Sequence, residues 1–67
     1  MAVVKIVEIL ADSTESWEAA TQVAVTEASK TIHSIKSVYI KEMKAFVENG
    51  KITKYRVDAK ISFVVDE

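Results

Sequence analysis

Apolar residues fill the first stretch of the chain without keeping to one side. In VVKIVEIL, residues 3–10, Val4 and Ile6 fall on one face of an extended strand, while Val3, Val7 and Ile9 fall on the other. The β-branched content predicts a strand. A single helix covers one face of a sheet, so apolar residues on both faces predict a second buried surface, supplied by another subunit. ADSTES follows and predicts a turn into a helix. Ser16 is the expected N-cap, its hydroxyl accepting from an orphan amide of the first turn. Glu15 and Glu18 place negative charge beside the positive helix end. From Trp17 to about Ile32 the period is helical: Trp17, Ala20, Ala24, Ala28 and Ile32 recur every three or four residues, with Glu18, Gln22, Ser29 and His33 on the other side. The small alanines of that stripe allow close approach to a sheet.

Two long strands are predicted next, about 34–47 and 51–65, joined by Glu48-Asn49-Gly50-Lys51. Asn-Gly between β-rich runs marks a tight hairpin, because both residues tolerate positive φ. The last strand alternates cleanly. Tyr55, Val57, Ala59, Ile61, Phe63 and Val65 face one way, and Lys54, Arg56, Asp58, Lys60 and Ser62 the other. Strand 34–47 is irregular, with Tyr39, Ile40, Met43, Ala45, Phe46 and Val47 spread over both faces, which suggests burial by a neighbour and a bulge. There is no proline, linker or repeat. The expectation is one α+β domain over residues 1–67, ordered β-α-β-β.

Length turns the surplus apolar surface into an argument. A chain of 67 residues buries only roughly 60% of its unfolded surface, and domains below about 70 to 80 residues usually add disulfides, a metal or subunit contacts. With no cysteine, disulfides and thiolate metal sites are excluded, and the single histidine argues against a structural zinc. Self-association is the staple left. MAVVKIVEIL is too short, and too interrupted by Lys5 and Glu8, for a signal peptide or membrane span, so a soluble cytoplasmic protein is expected. A net charge of -1 argues against a nucleic-acid binder. The basic residues are nevertheless concentrated: Lys36, Lys41, Lys44, Lys51, Lys54, Arg56 and Lys60 share their segment with only Glu42, Glu48 and Asp58. That is either a solvated strand face or a surface for an anionic ligand.

The equipment of an enzyme is missing. One glycine rules out a glycine-rich phosphate loop, and there is no HExxH, EF-hand loop or cysteine nucleophile. His33 reads as a solvated histidine at the helix end rather than a base, and Trp17 as the anchor of the helix on the sheet. Glu8, Glu42 and Asp58 read as surface or ion-pair carboxylates, with a metal site across a subunit interface as the sharper alternative.

The lysine and glutamate of VVKIVEIL, the segment STESWEAA, the helix ending ASKT, the turn ENGK and the closing YRVDAKISF together resemble the dodecin family over essentially the whole chain. The resemblance implies a three-stranded antiparallel sheet wrapped partly around one helix, and a hollow homo-dodecamer. It implies a binding protein that stores or buffers flavin (FMN or riboflavin) near twofold axes. There the ring stacks on a tryptophan and bonds to a glutamine of the last strand. Carried over, the tryptophan falls at Ser37 in IKSVYI and the glutamine at Arg56 in YRV, with Val38 and Tyr39 as pocket neighbours. Ser37 has no π-face, forfeiting about 1 kcal/mol of stacking. Arg56 offers donors where an amide offers a donor and an acceptor. The chain looks more like the subset that lacks the tryptophan and carries arginine in YR, some of which are described as calcium-binding. Other members hold coenzyme A-like ligands on basic patches.

The expected function is therefore a non-enzymatic dodecin-like sequestering particle with the flavin contacts replaced, carrying an ion or an anionic ligand. Its metal ligands cannot be assigned from the sequence. The alternatives are a flavin-storing dodecin with an altered pocket built on Tyr39 or backbone groups, and a structural oligomer without small-molecule cargo.

Overall fold

The computed structural model describes residues 3–65. Strand β1 (Val3–Ser13) leads to helix α1 (Trp17–Ser29), then to β2 (Ile35–Glu48) and β3 (Lys51–Val65). The sheet order is β1-β3-β2, with both outer strands antiparallel to β3. β1 and β2 therefore run parallel with the last strand between them, and the helix bridges their ends.

Alternation on β3 decides which face the helix covers. Val57, Ala59 and Ile61 are buried, joined by Ala11 of β1 and by Ala20, Ala24 and Ala28 of the helix. Val7, Ile9, Ile32, Ile35, Val38 and Ile40 pack around this cluster. Alanine contacts let helix and sheet approach closely but bury little apolar area each. At about 0.8 kcal/mol per buried CH2, Val57 and Ile61 supply much of the burial energy.

The helix begins as expected: the Ser16 hydroxyl accepts from the Ala19 amide at 2.9 Å. Trp17 does anchor it, its indole Nε1 donating to the Lys44 carbonyl at 3.0 Å and its ring standing edge-on to Tyr55, centroids 4.9 Å apart. The other end differs from the sequence expectation. The last turn tightens as the Thr31 and Ile32 amides both bond to the Ala28 carbonyl, and the helix stops at Ser29. Ile32 still reaches the core, from outside the helix, and His33 is exposed beyond it rather than on its polar face. Ser34, at φ 61°, turns the chain into β2, and its carbonyl accepts from the Val64 amide at 3.2 Å.

β1 also outruns its expected end, continuing through Ser13 because Ala11 is buried and Asp12 pairs opposite Arg56. In β2 the register shifts at Ile35/Ser37 and at Ile40/Glu42, leaving Lys36 and Lys41 as extra residues, and a third shift at Phe46/Val47 leaves Thr53 over on β3. These bulges account for the irregular pattern of that strand. The turn is a two-residue connection with Asn49 at φ 52° and Gly50 at φ 78°, the geometry Asn-Gly favours. A helix of 13 residues spans about 20 Å, whereas the molecule extends 51 Å. The far end of the β2–β3 hairpin therefore projects past the helix.

Candidate functional site

The face of the sheet turned away from the helix carries the chemistry. Register places it in cross-strand rows: Ile6, Ser62 and Ser37; Glu8, Lys60 and Tyr39; Leu10, Asp58 and Glu42; Asp12, Arg56 and Lys44. Ile6 and Leu10 are 64% and 63% exposed, and Tyr39 66%, so apolar groups stand open beside charges.

The row at Arg56 is the most tightly built. Asp12 accepts from Arg56 Nε at 2.6 Å and from its terminal nitrogen at 2.9 Å, a two-pronged ion pair. The same carboxylate lies 3.4 Å from the Lys54 ammonium. These partners, the Arg56 hydrogen bond foremost, hold the Asp12 carboxyl down at about 2, against an ordinary 3.8. The Arg56 guanidinium is raised in turn, chiefly by its bond to Asp12. Beneath them, the Phe46 ring is approached by three cations: Lys54 at 4.6 Å, Arg56 at 4.8 Å and Lys44 at 5.8 Å from its centroid.

One row along, Glu42 sits opposite Asp58. Leu10, Glu42, Met43, Lys44, Arg56 and Asp58 line an open cavity of about 240 Å³. Asp58 Oδ1 is buried without a hydrogen-bond partner among the described residues. An oxygen in that state is destabilising until a donor or cation reaches it. Glu8 is drawn instead toward Lys41, 3.8 Å away. No group of three or more histidines and carboxylates is gathered for a metal among the described residues.

The four positions expected around a ligand do not form one patch. The Ser37 hydroxyl shares a short hydrogen bond with Ser62, and Tyr39 stands exposed one row away. Val38 pairs with Ile61 and packs against the core, on the opposite face. Ser37 and Arg56 lie three rows apart, six residues of β3 at roughly 3.3 Å each, or about 20 Å. Sequence reading missed Asp12 altogether. Its only signal was a carboxylate on the strand that faces Arg56, visible once the β1–β3 register is known.

The sequence profile of the Dodecin family matches residues 3–66. Among solved structures, a mutant of the dodecin of Thermus thermophilus is 30% identical, with TM-score 0.94 and full coverage of both chains (100% and 100%). The calcium dodecin of Mycobacterium tuberculosis, described as a calcium-chelating immunodominant antigen with a novel calcium-binding site, is 32% identical. It has TM-score 0.81, covering 96% of this chain and 91% of its own. The dodecin of Streptomyces coelicolor shares the fold at 23% identity and TM-score 0.92, with 98% of this chain and 94% of that one covered. No curated protein matches the chain.

Proposed function

This chain belongs to the dodecin family, and on that footing we propose that it is a non-enzymatic binding protein, a one-domain subunit of a cytoplasmic homo-dodecameric shell whose usual flavin contacts are replaced. The observation that carries the reading is that both positions inherited from the flavin site are spent within the chain. Arg56 is forked onto Asp12 and Ser37 is tied to Ser62. The separation of about 20 Å between them adds to this, because a ligand touching both must draw Ser37 from one copy and Arg56 from another. The exposed Val4, Ile6 and Leu10 give such copies an apolar surface on which to meet.

Light scattering combined with a riboflavin fluorescence titration tests both halves. The expected outcome is a dodecamer that leaves riboflavin fluorescence unquenched. A stable monomer at micromolar concentration sinks the shell, and tight saturable quenching restores flavin storage.

For the cargo, the Glu42–Asp58 pair with its unpartnered oxygen favours a hard cation. Calcium takes six to eight oxygens, so two carboxylates from one chain need completion by another copy. The calcium-chelating relative from M. tuberculosis supports this reading. Calcium at about a hundredfold over Kd should then raise stability by about 2.7 kcal/mol, reversed by a chelator. A Tm indifferent to both removes calcium as cargo.

A further inference from the structure

We propose that Asp12 determines what the outer face of the sheet rejects: by holding Arg56 and Lys54 it keeps a cluster of three cations around Phe46 closed to phosphate-bearing ligands. The inference deepens the reading of a replaced ligand site and rests on it.

The cluster has the composition of an anion site. Lys44, Lys54 and Arg56 converge on one aromatic ring from three register positions on two strands. Guanidinium and ammonium groups held together in this way meet a phosphate through charge-assisted hydrogen bonds. Arg56 in particular presents a planar fork that suits the oxyanions of phosphate. Asp12 already fills that fork, taking two of its nitrogens with its two oxygens. A phosphate approaching the fork must displace a carboxylate held in position by the backbone pairing of β1 with β3. Lys54 is drawn to the same carboxylate. Lys44 alone of the three has no carboxylate partner among the described residues, and a single exposed lysine binds phosphate weakly. On the other flank, Glu42 and Asp58 in the adjoining cavity repel an anion further. The pattern is one of exclusion, and Asp12 is its adjustable part, because its neutralisation opens the fork without removing a cation.

The test is a calorimetric titration of the assembled protein with inorganic pyrophosphate, in the wild type and in Asp12→Asn, with riboflavin run in parallel. Asp12→Asn retains the shape of the side chain, and Asp12→Ser serves as a smaller counterpart. The expected result is no detectable pyrophosphate binding to wild type and saturable binding to the variants, tighter by about tenfold or more. That gain should weaken with added salt and be lost again in Asp12→Asn with Lys44→Ala. Binding of pyrophosphate to wild type as tight as to the variants, or no gain in either folded variant, overturns the inference. Failure of both variants to fold overturns it too, assigning Asp12 to stability. Riboflavin quenching by wild type is a separate outcome: it sinks the replaced-site reading, and with it the premise on which Asp12 was assigned this role.

Discussion

On the helix side of the sheet, Ala11, Val57, Ala59 and Ile61 meet Ala20, Ala24 and Ala28 and are almost sealed from solvent. On the far side, Val4, Ile6 and Leu10 stand more than half open, although they belong to the same strand as Ala11. Residue type does not separate the two faces. If anything, the larger apolar side chains of β1 lie on the uncovered one. What separates them is that the described residues form one helix, which is spent on a seam of alanines. Such a seam fits closely but contributes little burial, which is a thin margin for a chain of 67 residues. The open face is where further apolar surface remains to be buried, and it is also where the charged side chains are pinned to one another. Exposed apolar side chains and paired charges thus share the same surface.

Matched truncations are the strongest way to break this contrast. Ile61→Ala, at a fully buried position, should cost about 2–5 kcal/mol, seen as a lower denaturation midpoint. The same change at Ile6 should stay within about 0.5 kcal/mol in an isolated subunit. A loss at Ile6 approaching that at Ile61 would show that the outer face is itself covered in solution. Next in size, Ala24→Leu should cost about 1–3 kcal/mol, because helix and sheet must separate to admit it; a neutral result would mean the seam is loosely packed. Removing the cap with Ser16→Ala should cost about 1 kcal/mol and reduce helicity at the Trp17 end.

The gentlest effect belongs to the outer face. Asp12 titrates at about 2 when folded and near 3.8 otherwise. The fold therefore prefers its charged form, and that contribution is complete above about pH 4 and fades as the pH falls toward 2. A Tm profile over this range should show an acid step in wild type that Asp12→Asn lacks. Identical profiles would mean that solvent screens the pair entirely.

Most of the covered face was legible in the sequence, because period and burial coincide there. The alanine stripe, the alternation of β3, the Ser16 cap and the Asn49-Gly50 turn are local signals, each read within a few residues. The helix end was not, since Ile32 continues the stripe by position while reaching the core from outside the helix. Nor was the full length of β1, whose last residues have the composition of a turn and are held extended by partners at the other end of the chain. A bulge in β2 was foreseeable from the loss of alternation, but its placement at Lys36 and Lys41 was not, as lysine suits an exposed strand edge equally well. On the outer face, Ser37 and Arg56 were reached through resemblance to dodecins, whereas Asp12 emerged only from register. An ion pair between β1 and β3 leaves no periodic trace.

The placement of β3 between β1 and β2 has a consequence for how the molecule comes to be folded. β3 follows β1 and β2 in the chain and is the strand that both of them need, with Val3 paired to Val65. The β2–β3 hairpin can zip from its Asn-Gly turn on a microsecond scale, whereas β1 needs β3 and closes across the helix and β2 to reach it. Long-range pairing of this kind slows folding. Because β1 precedes β3 in the chain and pairs only with it, its apolar edge stays unpaired during synthesis until β3 has been made.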